Sequence, residues 1–351
     1  MTLMSIKKVS NSWINTLAPL ITYALATFIL VLPSFTVTQF SLPEWLSFLI
    51  VSIPFGGRVV GSIMYQRIVS LIGSRSTFAI SMALLGSLSL ASTVRDVMLL
   101  ITVRLAVGIA FGIATSLAVE TATRKGSRTL TALTMSGWAF GWIFGAFDYI
   151  LLKEWYLIAI SGIISIPFVL IRNSYEDFKT IKIKTSRPSI LSIAAFFLSF
   201  EPAFVLQLAP SIVQSSGMEW LIFGYIVSIP MYLLVPSLSS LLGEVRTTMV
   251  YTFIASMSGV LFFYFAQVPA LIVFTAFGLG INSLAPRIAA MYGANPRTMG
   301  TALNSAALGG VIVPVISSFD IRVYASIFTV SSLCLLAVMA LKKRNYIELL
   351  S

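Results

Sequence analysis

Apolar runs long enough to cross a bilayer follow one another along almost the whole chain. About 20 largely apolar residues let an α-helix span the hydrocarbon layer. Runs of that kind, separated by Pro, Gly and charged punctuation, fall near 12–36, 43–67, 76–94, 97–119, 129–151, 155–171, 188–213, 219–242, 247–267, 269–290, 299–319 and 322–341. A soluble core cannot absorb them, because 58% of the 351 residues are hydrophobic and only 10% are charged. The bilayer must be the solvent. The expected fold is therefore an all-α integral membrane protein of about twelve transmembrane helices.

The longest polar interruption, Arg172 through Arg187 with Lys179, Lys182 and Lys184, follows the sixth run. It divides the chain into an N-terminal six-helix half (1–171), a basic linker (172–187) and a C-terminal six-helix half (188–351). Placing both termini in the cytoplasm puts Lys7, Lys8, Arg67, Arg75, Arg124, Lys125, Arg128, Arg172, Lys179, Lys182, Lys184, Arg187, Arg246, Arg297, Lys342, Lys343 and Arg344 inside. Only Arg95, Lys153 and Arg322 fall outside. That asymmetry fits the positive-inside rule, and a missed or invented helix in the middle would break the alternation. Trp45, Trp155 and Trp220 then lie near the outer interface and Trp13 near the inner one, as aromatic belts prefer. A multi-pass protein of the plasma membrane is expected.

The net charge of +11 lies in short gaps between apolar runs, so it reads as membrane orientation and not as a nucleic-acid face. Cys334 is the only cysteine, which leaves no intrachain disulfide or thiolate metal cage. With no histidine anywhere, zinc hydrolysis and Ser-His chemistry lose their usual group. No cofactor or metal is expected. Lys7 and Lys8 precede a first run that continues past the short apolar region of a cleavable signal, so it reads as the first membrane helix.

Internal duplication is visible. Ser70-Leu71-Ile72-Gly73 follows the second run and Ser240-Leu241-Leu242-Gly243 follows the eighth, 170 positions later. Thr131-Ala132-Leu133 opens the fifth run and Thr301-Ala302-Leu303 opens the eleventh, at the same offset of 170. Each match alone is short, but two at one offset and equivalent positions point to tandem halves of parallel topology.

These residues carry a resemblance. Arg58-Val59-Val60-Gly61, followed by Ser70-Leu71-Ile72-Gly73-Ser74-Arg75, resembles the Arg-Pro-x-Gly stretch and Asp-Arg-x-Gly-Arg-Arg loop of the major facilitator superfamily. Arg104-Leu105-Ala106-Val107-Gly108, then Glu120 with Arg124, Lys125, Gly126 and Arg128, resembles that family's fourth helix and its basic tail. Arg297 through Asn304 is similar to the start of its eleventh helix. The resemblance extends over essentially the whole chain, closest to the metabolite:proton symporter and sugar-porter-like branches. It implies alternating access by two six-helix halves, with gating carried by Arg58, Gly61, Ser70, Gly73, Arg75, Glu120, Arg128 and Arg297. The chain departs from the pattern at Ser70 for the loop aspartate, Leu71 and Ser74 for basic residues, and Ala290 for a glutamate of helix 10. A gate lacking those charges must be built differently.

Glu201 lies about 20 Å into its apolar run at 1.5 Å per residue, near mid-membrane. An ionisable group at that depth faces a cavity, a substrate or a proton path, or else forms a structural pair or stays protonated. Pro202 beside it is expected to loosen the helix. Arg58 and Arg287 lie nearer one interface, where their stems can snorkel. Arg104 is deeper and is a candidate for substrate or coupling, with Asp148 as a partner guessed from depth. Gly137, Gly141 and Gly145 recur every fourth residue and read as a packing face, with Trp138 and Trp142 on the same turns. Gln207, Tyr225, Ser228, Tyr232, Asn282 and Asn304 are polar candidates at cavity depth.

The expected function is secondary active transport of a small metabolite, an organic anion or sugar, coupled to protons, by a monomer in the lipid bilayer. Efflux of amphipathic compounds is the alternative. A membrane-embedded transferase would need paired acids or a phosphate cradle, and the loops offer only Glu120, Glu244 and Glu176-Asp177, with no Walker-type glycine loop.

Overall fold

The computed structural model describes residues 2–175, 187–206, 218–265, 267–312, 322, 329–330, 333–334 and 336–340; within these, the side chains of residues 2–15, 37–38, 44, 174, 199–205, 218 and 312 are not described. The described residues form an all-α bundle in which no strand occurs. Seven of its helices are long and apolar enough to cross a membrane, or up to eight when one bent pair is counted as a span. The expectation of twelve is not reached among the described residues, because the second and third apolar runs are counted together as one helix and the seventh, eleventh and twelfth runs are described only in part.

The first part of the chain runs through α1 (Thr2–Thr36), α2 (Glu44–Ala91), α3 (Val97–Arg124), α4 (Arg128–Met135), α5 (Gly137–Leu152) and α6 (Trp155–Ser161), continued by 3-10 turns at Gly162–Ser165 and Pro167–Ser174. The second part runs through α7 (Ile190–Leu206), α8 (Met218–Leu242), α9 (Glu244–Phe265), α10 (Val268–Gly280), α11 (Ala285–Met291) and α12 (Pro296–Ala306), ending in a 3-10 turn at Ala307–Ile312. At 1.5 Å per residue an unbroken α2 would reach about 70 Å, more than twice a hydrocarbon layer of about 30 Å. Gly73 resolves this: with φ 80° and ψ 167° it leaves the helical region and divides α2 into two arms. Only glycine adopts that backbone without strain. Gly243, 170 positions later, has φ 82° at the junction of α8 and α9. The duplicated sequence thus carries a duplicated turn.

Helix starts follow from capping. Asp96 accepts from the Leu99 amide at the head of α3, Ser127 from the Leu130 amide at the head of α4, and Asn295 forms a reciprocal capping box with Thr298 at the head of α12.

Small residues set the packing. The first arm of α2 and α3 share the most extensive contact in the molecule. A Cβ on Gly57 or Gly61 would run into the backbone at Leu105 or Ile109, and one on Gly108 or Gly112 into the backbone at Pro54 or Arg58. Two glycine pairs, each spaced by four, therefore interlock the backbones directly. Gly137, Gly141 and Gly145 of α5 do the same against α1, where added Cβ atoms would meet Tyr23, Thr27 and Phe35. Their reading as a packing face matches this arrangement. At the far end, Gln39 donates to the Lys153 carbonyl at 2.6 Å and accepts from the Trp155 amide at 3.0 Å, tying two connecting loops together.

One expectation needs correcting. Arg58 does not snorkel: it is fully buried inside the bundle, because a hydrogen-bond acceptor and aromatic faces meet it there. Pro202 lies within α7, which is helical through Leu206.

Candidate functional site

The most polar region of the interior joins the first part of the chain to the second. Glu120 of α3 is fully buried and accepts from three donors. Tyr65 Oη of α2 approaches Oε2 at 2.7 Å, Arg124 Nε approaches Oε1 at 2.8 Å, and Arg297 Nε of α12 approaches Oε1 at 2.9 Å. A buried carboxylate is tolerable only when its lone pairs are satisfied by charged donors, and Glu120 meets that condition. One of those donors comes from the other part of the chain. The bond therefore holds α12 against α2 and α3.

Two layers deeper, the same helices meet again. Gln66 Nε2 donates to Thr301 Oγ1 at 2.9 Å. Arg58 Nε donates to Asn304 Oδ1 at 3.0 Å, while Asn304 Nδ2 donates to the Gly300 carbonyl at 2.9 Å and to Ser116 Oγ at 3.2 Å. A Cβ on Gly300 would collide with Ser116, so α12 sits directly on α3 here. The Arg58 guanidinium lies 4.3 Å from the Phe111 ring centroid, 5.3 Å from that of Phe55 and 5.7 Å from that of Trp138. Aromatic faces stabilise a desolvated cation, which explains how a buried arginine is accommodated.

Beyond this layer lies a cluster of buried aromatic side chains. Trp142 of α5 stacks on Tyr225 of α8, with centroids 5.4 Å apart and planes 9° from parallel. Tyr23 of α1 packs edge-on against Phe111, with centroids 6.2 Å apart. Asn282, in the 3-10 turn Ile281–Ser283 that breaks the span between α10 and α11, donates to Tyr232 Oη at 3.1 Å. Among the described residues, Trp142 Nε1, Tyr225 Oη and Asn282 Oδ1 are buried with no hydrogen-bond partner. Buried polar atoms are normally satisfied, so these three stand out in an otherwise bonded interior.

Residues 11–171 match the family model described as "Sugar (and other) transporter". The chain resembles the sugar transporters of the major facilitator superfamily. No curated protein matches it. With several membrane-length helices in an all-α bundle, the chain is a multi-pass membrane protein that is similar over residues 11–171 to transporters of sugars and other small metabolites.

The expected site residues fall into separate groups. Arg58, Glu120, Arg297 and Asn304 come together in the polar layers, Tyr225 and Asn282 lie in the aromatic cluster, and Gly61 serves the interlock of α2 and α3. Gly73 makes the break in α2. Ser70 is exposed and donates only to its own helix, to the Arg67 carbonyl at 2.7 Å. Arg75 Nε donates to the Tyr175 carbonyl at 2.9 Å, holding the end of the sixth span, and Arg128 is exposed at the head of α4. Glu201 lies on α7, but its side chain is outside the described residues, as is all of Gln207. Ser228 donates to the Tyr225 carbonyl at 2.6 Å within its own helix.

Arg104 is placed otherwise than expected. It is buried, Nη1 donates to the Ile29 carbonyl at 3.3 Å, and Nη2 donates to the Leu30 carbonyl. Pro33 in α1 has no amide to give to Ile29, four residues earlier, so the arginine fills a vacancy that proline creates. Asp148 is not its partner: that carboxylate accepts from Ser161 Oγ at 2.6 Å. Tyr65, Gln66 and Thr301 are polar-layer residues not singled out in the sequence. Arg58, Ser62, Tyr65 and Gln66 share one helical face at spacings of four, seven and eight, and that periodicity was the available signal.

Proposed function

We propose that the chain is a secondary active transporter that carries its substrate past the aromatic cluster by alternating access. The halves 1–171 and 188–351 rock about it, and uptake is driven by protons. The observation that carries this reading is the bond from Arg297 of α12 to the buried Glu120 of α3. Together with the Gln66–Thr301 and Arg58–Asn304 bonds it closes one end of the bundle, and these bonds are reversible contacts of the kind a gate requires. The closed end carries Arg124, Arg128 and Arg297, so the positive-inside rule makes it the cytoplasmic end. Stacked aromatics and unpaired polar atoms suit a sugar, which offers C–H faces to rings and hydroxyls to orphan groups.

Protons are the coupling ion in this reading because the sequence places Glu201 deep in an apolar run, on α7. An ionisable group deep in a membrane helix commonly faces a cavity, a substrate or a proton path. The test is uptake into proteoliposomes of labelled sugars and organic anions, with and without an inward proton gradient. Gradient-dependent accumulation of a member of the panel is expected, and Glu201→Gln is expected to abolish accumulation while sparing exchange of substrate already present. Accumulation indifferent to the gradient removes proton coupling, and absence of any uptake or exchange across the panel removes the transport reading for those substrates.

A further inference from the structure

The closed basic end holds a cavity of about 270 Å³ between the two parts of the chain. Its walls come from the α3–α4 junction, with Thr123, Ser127 and Arg128, and from the second part, with Ser283, Arg287 and Pro296. Two arginines line it and no acidic residue does. The two arginines differ. Arg287 Nη2 is held by Glu244 Oε1 at 2.6 Å, yet Nη1 is buried and has no hydrogen-bond partner among the described residues. Arg128 is exposed and stands across the cavity on the other part of the chain.

A buried guanidinium N–H left unpaired is costly, and an oxyanion satisfies it better than water because the bond is charge-assisted. A second arginine facing the same space, with no carboxylate in the lining, gives the cavity a sign. Its size sets an upper limit. Pockets for drug-sized ligands run from roughly 300 to 1,000 Å³, so this one takes a compact group. We propose that Arg128 and Arg287 form a binding site for a phosphate-type oxyanion that bridges the two parts of the chain and holds the basic end shut. The site is separate from the aromatic cluster, and its regulatory sense rests on the reading of that end as the cytoplasmic gate. An anion that touches both walls binds only while they are together, so by linkage it stabilises the closed arrangement. The oxyanion comes either from a soluble phosphate compound or from the headgroup of an acidic lipid, and the chemistry of recognition is the same.

Thermal midpoints of the purified full chain test this directly. Inorganic phosphate is titrated in detergent, and nanodiscs of phosphatidylcholine are compared with nanodiscs containing added phosphatidylglycerol. Saturable stabilisation by phosphate assigns a soluble anion, and stabilisation only by phosphatidylglycerol assigns a lipid headgroup. Arg128→Gln and Arg287→Gln are each expected to weaken the effect about tenfold or more, the scale of one lost hydrogen bond to a charged group. Arg246→Gln, an exposed arginine outside the lining, is expected to leave it unchanged. Glu244→Gln breaks the same ion pair as Arg287→Gln but keeps the guanidinium, so binding is expected to persist or tighten. No saturable stabilisation from either probe, equal affinity in Arg128→Gln, or a loss in Glu244→Gln matching that in Arg287→Gln would mark a hydrated cleft only and overturn the proposal. None of these readouts requires transport, so failed uptake with retained anion binding sinks the transport reading alone.

Discussion

Two buried arginines, expected at different depths, find different kinds of partner in the structure. Arg58 reaches across to Asn304 on another part of the chain, whereas Arg104 spends its donors on backbone carbonyls of α1. Depth along an apolar run identifies both as important, but depth does not reveal the partner. The partner of Arg104 is a carbonyl freed by a proline some seventy residues earlier, and no charge pattern marks a carbonyl. Arg104→Met is accordingly expected to lower the thermal midpoint of the purified protein while leaving substrate KM within about threefold, since α1 loses its buried donor and not a substrate contact. A large KM change at unaltered stability would return Arg104 to the substrate. Glu120 makes a different demand. Replacing it by Met removes the carboxylate that faces the Arg297 guanidinium, 4% exposed, and breaking a buried ion pair at one partner costs about 3–5 kcal/mol. Glu120→Met is therefore expected to reduce transport more than tenfold and to raise labelling of cysteines introduced beneath the gate. Unchanged labelling would show that other bonds keep the end closed.

Among the elements, hydropathy alone locates most of the spans because a bilayer imposes length so strictly. The second and third runs, expected at 43–67 and 76–94, appear as the two arms of α2, and each arm extends past its apolar stretch toward Gly73. Pairings between elements are less legible. Gly57, Gly61, Gly108 and Gly112 look like ordinary small residues in the sequence, and only the fold reveals that they face one another. Gly61→Ala is expected to force α2 from α3 and cost several degrees in the thermal midpoint, because its Cβ would strike backbone and not a side chain that can move aside. A neutral result would mean that the two helices can separate without loss. The mirrored turns at Gly73 and Gly243 are the element-level counterpart of the repeat seen in the residues.

Across the whole molecule, charge asymmetry carries a prediction that packing does not. Cysteines substituted at Lys179 and at Glu219 are expected to be protected from and open to an impermeant reagent added outside, respectively, because basic segments stay on the cytoplasmic side. The reverse pattern would invert the assignment of the closed end and of the anion site with it. The aromatic cluster itself was only half legible: Tyr225 and Asn282 stand out as polar residues in apolar runs, whereas Trp142 becomes informative only once it is seen lying flat on Tyr225.

The interlocked glycines also bear on timing. Backbones in direct contact cannot slide past one another gradually, so α2 and α3 must travel as a single strut, and the loop tie at Gln39 joins the outer connections at its far end. Flexing within that unit contributes little to opening. In the proposed alternating-access cycle the activation barrier is then expected in the bonds to α12, at Arg297, Thr301 and Asn304. Turnover would be a series of abrupt switches separated by long waits, with a temperature dependence that reports the strength of three contacts.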